Sequence, residues 1–229
     1  MFNKLLITIT AILFSTMSHA ANIRVQDNVI KFDGEIQQGD AINLVMTMQR
    51  TGIREVHLNS PGGVAIEGFN IGYGMRELNA KMVVTRSSTC FSACAFAFLG
   101  GTEHVLDGLI GFHSAHIPKE FQDQINVGDA FSNGQNIAVM STQYFYKMGY
   151  SLQLQTLITQ LTNPTTFLVF KDITELHKFK YTDDNPFGNF PEIETQWIAD
   201  HIAGPIRLHF LKLSIDNNEP NKNEEGETP

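Results

Sequence analysis

The stretch REVHLNSPGGVAIEGFNIGYGMRELNAKMVVTR, residues 54–86, carries the signal from which the architecture is read. It opens with a short strand-like run, 54–60, broken by Pro61-Gly62-Gly63. The segment that follows places Val64, Ile71, Met75 and Leu78 on one face of a helix, and KMVVTR (81–86) returns to a strand. Upstream, NVIKFDGEI (28–36) reads as a strand with a turn at Asp33-Gly34. GDAINLVMTMQRTG reads as a helix, with Asp40 as N-cap, an apolar face of Ile42, Val45 and Met46, and Gly52 as the stop. Downstream, SACAFAFLGG suits a buried helix ended by Gly100, and GLIGFHSAH (108–116) a short apolar strand. Strand and helix alternate throughout, which predicts an α/β fold with a mainly parallel sheet and crossover helices.

Beyond residue 116 the pattern becomes helical. Residues 117–131 are polar and read as a surface loop, and helices are expected over 133–149 and 151–162. An apolar FLVF follows Asn163-Pro164, and Asp172 is placed to cap a short helix in DITELHKF. The segment 184–213 has no assignable role, and 214–229 is expected to be a disordered acidic tail, since 217–229 lacks apolar residues to repay ordering.

The N-terminal MFNKLLITITAILFSTMSHA has one basic residue, an apolar run and a small-residue end. That order predicts a secretory leader over 1–20, cleaved after Ala20. The run is shorter than the roughly 20 apolar residues of a comfortable span, so no membrane span is expected after cleavage. The mature chain would be one domain, 21–213, plus the tail. Loss of Lys4 takes the formal charge from −8 to −9. This acidic balance without a basic cluster argues against nucleic acid, whose binding rests on Lys and Arg at phosphates.

Three pieces can carry chemistry. NSPGG (59–63) is either ordinary turn punctuation or a cradle of amide N–H groups at a helix start. Ser92 is either a helix cap or a nucleophile at a strand-to-helix junction. His113 is either a structural histidine or a general base. All three fall near the carboxyl ends of predicted strands, where parallel α/β sheets collect functional groups. Together they are what acyl transfer requires. Cys90 and Cys94 bracket Ser92 and are either bridged, if Cys90 precedes the helix, or two small packed thiols. C-x3-C without further ligands is no zinc site, so neither metal nor cofactor is expected.

The run from FDGEI to GFH resembles the caseinolytic Clp peptidase, a serine peptidase of the ClpP/crotonase superfamily. NSPGGVAIEG is similar to that family's strand-turn-helix, SACAFAFLGG to its nucleophile helix, and IGFH to the strand end that carries its base. The likeness spans about residues 28–116, with an echo in DITELHKFKYTD (172–183), and Cys-x-Ser-x-Cys resembles exported relatives. The resemblance implies Ser92 as nucleophile, His113 as base and the amides of Gly63 and Ala93 as oxyanion hole. The family's aspartate is missing, since 164–170 reads PTTFLVF. Asn163 is the candidate orienter of the imidazole, with Asp172 second. The expectation is an exported, ATP-independent serine peptidase acting on peptides or unfolded chains. The alternatives are a non-catalytic binding or assembly module of the same fold, or an esterase using the same pair. The family's ring assembly further implies a homo-oligomer built through the helices of 133–162.

Overall fold

The computed structural model describes residues 20–117 and 122–181, together with the backbone of 193–198 and 207–213. The leader apart from Ala20, and the expected tail 214–229, lie outside the described residues. The architecture is α/β with two mixed five-stranded sheets and six helices among the described residues. Among those residues no helix is long and apolar enough to cross a membrane.

The first sheet begins with an antiparallel hairpin, β1 (Asn22–Gln26) on β2 (Val29–Asp33). Three parallel pairings then add β3 (Glu55–Asn59), β4 (Lys81–Val84) and β6 (Glu103–Leu106), giving the order β1-β2-β3-β4-β6. Burial alternates along β2 and β3, with Ile30, Phe32, Val56 and Leu58 turned into the core. The second sheet has the order β5-β7-β8-β10-β9, built from β5 (Thr89–Phe91), β7 (Leu109–Phe112), β8 (Thr166–Phe170), β9 (Ile193–Ile198) and β10 (Arg207–Leu213). Its pairings alternate: β5 with β7 and β8 with β10 are parallel, whereas β7 with β8 and β10 with β9 are antiparallel. The C-terminal part is therefore not simply helical, because three of its strands complete this sheet. TFLVF is buried at every position of β8, the signature of a strand covered on both faces.

The helices are α1 (Asp40–Thr51), α2 (Ala65–Glu77), α3 (Ala93–Leu99), α4 (Val127–Lys147), α5 (Leu152–Leu161) and α6 (Ile173–His177). Two departures from the sequence reading concern phase and boundary. In α1 the N-cap is Gly39, and Asp40 is the first helical residue, itself buried beside Leu44 and Met48. Ile42 and Met46, expected inward, are 62% and 60% exposed. A buried carboxylate has taken the position that sets the inward face. In α4 the helix starts inside the expected loop, because the Asn126 side chain accepts from the Asp129 N–H and caps it.

The two helices nearest the glycine turn pack closely. A Cβ on Gly68 of α2 would run into the Ala93 carbonyl, and one on Gly100 would meet the Gly72 backbone. This stripe of small residues lets α3 lie backbone to backbone against α2. Phe69, Phe96 and Tyr144 fill the space beside it, with ring centroids 4.9–5.1 Å apart.

Candidate active site

The two sheets touch where β3 ends. Ser60 N donates to Thr89 O at 2.8 Å and Phe91 N to Ser60 O at 3.0 Å, so the strand that delivers Pro61-Gly62-Gly63 leans on the strand that delivers Ser92. Gly62 and Gly63 have φ of 105° and 141°, a region open to glycine and costly for other residues. A Cβ on Gly62 would sit 2.5 Å from Ser92 Cβ, and one on Gly63 would overlap Ile36. The glycines are needed because one backbone passes directly over the serine while the other lies against Ile36. Ile36 N donates to Gly62 O and Val64 N to Ile36 O, which ties the turn down on both sides.

Ser92 occupies the junction between β5 and α3 at φ 56°, ψ −124°. Such a conformation costs a non-glycine residue on the order of 1–3 kcal/mol and holds only where its surroundings over-determine it. They do so here. Ser92 N donates to Gly111 O at 2.8 Å, and Ser92 O accepts from Ala95 N at 2.9 Å. Cys90 and Cys94 are joined by a disulfide with Cα atoms 5.1 Å apart. Cys90 lies in β5 and Cys94 at the second position of α3, so the bridge spans the serine and both sulfur-bearing side chains are fully buried.

His113 directly follows β7. Its Nε2 is 2.6 Å from Ser92 Oγ. Burial leaves the residue 7% exposed and pushes its pKa down to about 4, with the neighbouring His116 adding to the effect and the Ser114 carbonyl opposing it. The imidazole is therefore neutral at neutral pH, with Nε2 able to accept the serine proton. Among the described residues Nδ1 has no hydrogen-bond partner. The chain beyond the histidine is fixed instead through Ser114: its N–H donates to Thr162 Oγ1 at 2.8 Å.

The Ala93 amide directly follows Ser92, and the Gly63 amide follows Gly62, the residue whose backbone passes over the serine. Neither donates a backbone hydrogen bond among the described residues outside regular elements, and Ala93 N, as the first helical amide, has no intrahelical acceptor.

The expected orienters are elsewhere. Asn163 Oδ1 accepts from Thr165 N at 2.9 Å and Thr165 Oγ1 at 3.0 Å, closing its own turn ahead of β8, and it makes no bond to His113. Asp172 caps α6 by accepting from Thr174 N at 2.8 Å. The antiparallel register pairs Phe112 with Leu168 and Ile110 with Phe170, which sets His113 against Phe167 and leaves Asp172 at the far end of the strand. The Phe167 ring centroid is 4.6 Å from that of His113. The position opposite the histidine on the neighbouring strand is thus occupied by a phenyl ring, which offers the imidazole no acceptor.

A cavity of about 430 Å³ opens beside His113 between α2, α3, α4 and α5, lined by Phe69, Phe96, Ile137, Phe145 and Ile158 among others. Among the described residues no cluster of three or more His, Cys, Asp or Glu is arranged to hold a metal. Sequence reading missed Gly62 as the residue passing over Ser92, Gly111 as its carbonyl anchor, and the Ser114–Thr162 clasp. For Gly62 a signal existed, since two consecutive glycines were visible. For the others none did, because they act through backbone atoms or ordinary polar side chains. No protein-family model matches the chain, and no curated protein does either.

Proposed function

We propose that the chain is an ATP-independent serine peptidase of ClpP/crotonase-like fold that hydrolyses peptides or unfolded chains through Ser92 and His113. The observation that carries this reading is the 2.6 Å contact between Ser92 Oγ and a neutral His113 Nε2, at a serine held on a left-handed backbone. His113 takes the hydroxyl proton as Oγ attacks the substrate carbonyl. The oxyanion forms between the Gly63 and Ala93 amides. The imidazolium then returns its proton to the leaving amine, and water repeats the cycle on the acyl-enzyme. The apolar cavity beside the histidine offers room for a substrate side chain. The leader-like residues 1–20 and the disulfide support an exported location. Exposed Val127, Phe131 and Val139 on α4 support a homo-oligomer.

The unpartnered Nδ1 favours a second reading, an esterase. An ester leaves as an alcohol, which asks less of the imidazolium as proton donor than an amide does. A fluorophosphonate probe tests both readings: wild type is expected to label at Ser92 and Ser92→Ala not at all, with unchanged circular dichroism. A panel of matched peptide amides and esters then separates peptidase from esterase. Absence of labelling in folded wild type would remove both and leave a binding module.

A further inference from the structure

Asp40 is 1% exposed and Glu67 7%, and among the described residues neither forms an ion pair. Both gather at the start of α1. Glu67 Oε1 accepts from Gly39 N at 2.9 Å and Ala41 N at 2.8 Å, and its Oε2 accepts from Asn70 Nδ2 at 3.3 Å. Asp40 Oδ2 accepts from Gln37 N at 2.8 Å and from Ala21 N at 3.3 Å. Ala21 is half-buried and packs against the core. Ala20, immediately before it, is exposed. The nitrogen that meets the buried, cation-free carboxylate is the one that leader removal would turn into a cation.

We propose that the Ala20–Ala21 bond is the maturation site of this chain and that Asp40 is the built receptor for the α-ammonium released there. Hydrolysis by a leader-specific membrane peptidase consumes one water. The hydroxyl goes to the Ala20 carbonyl carbon, which leaves with the leader as a carboxylate, and the protons leave Ala21 as an ammonium, the ordinary state of an α-amine near neutral pH. A neutral amide contact becomes a charge-assisted one, roughly twice as strong. The effect reaches the catalytic turn by a short path. Asp40 holds Gln37; the adjoining Ile36 donates to Gly62 O at 2.6 Å and accepts from Val64 N at 3.0 Å. Maturation thus tightens the segment against which the Gly62-Gly63 turn is built. The inference does not depend on the peptidase reading.

The test begins with the full chain, leader included, produced in an exporting host, and the intact mass of the processed protein. A mass beginning at Ala21 is expected; a start at any other residue overturns the proposal. The mature chain is then compared with the same chain acetylated at Ala21, which keeps an N–H donor and removes the charge, in wild type and Asp40→Asn. Acetylation is expected to lower the wild-type Tm by about 3 °C and to speed exchange of the Gln37 and Val64 amides about tenfold. In Asp40→Asn it is expected to change neither. Equal effects in both backgrounds overturn the proposal. Should Asp40→Asn not fold, the wild-type pair decides alone: unchanged exchange at Gln37 on acetylation overturns it.

Discussion

Ser92 combines a side chain that the proposed chemistry needs with a backbone that serine disfavours. Replacing it by alanine or by glycine removes the same hydroxyl, but only glycine is at ease at φ 56°. Both variants are expected to be inert to the probe, and Ser92→Gly to be more stable than Ser92→Ala by about 1 kcal/mol. Equal denaturation midpoints would show that the backbone there is relaxed. His113 sets the pH response. Its buried ring titrates at about 4, so the base is competent above that value and lost below it. The probe-labelling rate is expected to rise through pH 4 and to be level by pH 6. A midpoint near 6.5 would mean that the ring is hydrated in the working protein. His113→Ala is expected to slow labelling by about 10²–10⁴-fold.

At the level of elements, the approach of α2 to α3 depends on Gly68, whose added Cβ would strike the Ala93 carbonyl. Gly68→Ala is expected to cost about 1–3 kcal/mol, as overpacked cores do, and to lose labelling with it because Ala93 carries a proposed oxyanion amide. The disulfide acts differently. It closes a loop with a sequence separation of four, too small for a large chain-entropy term. Cys90→Ala with Cys94→Ala is expected to slow labelling far more than it lowers Tm, and equal losses in both would make the bridge a general staple. These elements also show what the sequence could reveal. β2, β3, β4, α2 and α3 were legible because hydrophobic period and glycine punctuation agree in them. β5 and β6 have three and four residues and no alternation of their own, so they passed unnoticed. The phase of α1 was misread because apolar residues lie on two of its faces, and the buried Asp40, bonded to the Gln37 and Ala21 amides, lies on the inward one.

At the scale of the molecule, and among the described residues, His104 and His113 are both held neutral by burial. Burial, with Lys180 and His177 nearby, pushes His104 down to about 3, and His113 lies at about 4. Unfolding returns both to about 6.5, so below that value the unfolded chain binds more protons than the folded one. Their contribution is full above pH 6.5 and is lost as pH falls toward 4 and then 3. Tm is expected to fall steadily from pH 6.5 to 4. His104→Gln, which keeps a donor for the Phe98 carbonyl, should flatten that slope, and an unchanged slope would clear His104 of the effect. At this scale the sequence told least. Pairing of β8 with both β7 and β10 joins residues remote along the chain, and no local pattern encodes it. The candidate serine and histidine were legible as residue types at strand ends, whereas the packing of Phe167 on His113 follows only from that pairing.

Ser92 and His113 belong to the second sheet, while Gly63 is moored to Ile36 beside the first, and the two sheets meet at Ser60 and Cys90. The serine and histidine are therefore held by one sheet and the glycine turn by the other, with α2 and α3 packed closely beside the junction. Inactivation becomes a matter of alignment before it is one of damage. A slip of an ångström along this seam is expected to silence the proposed site before either sheet unfolds. Loss of probe labelling at Ser92 is therefore expected at a lower temperature than the loss of helical signal.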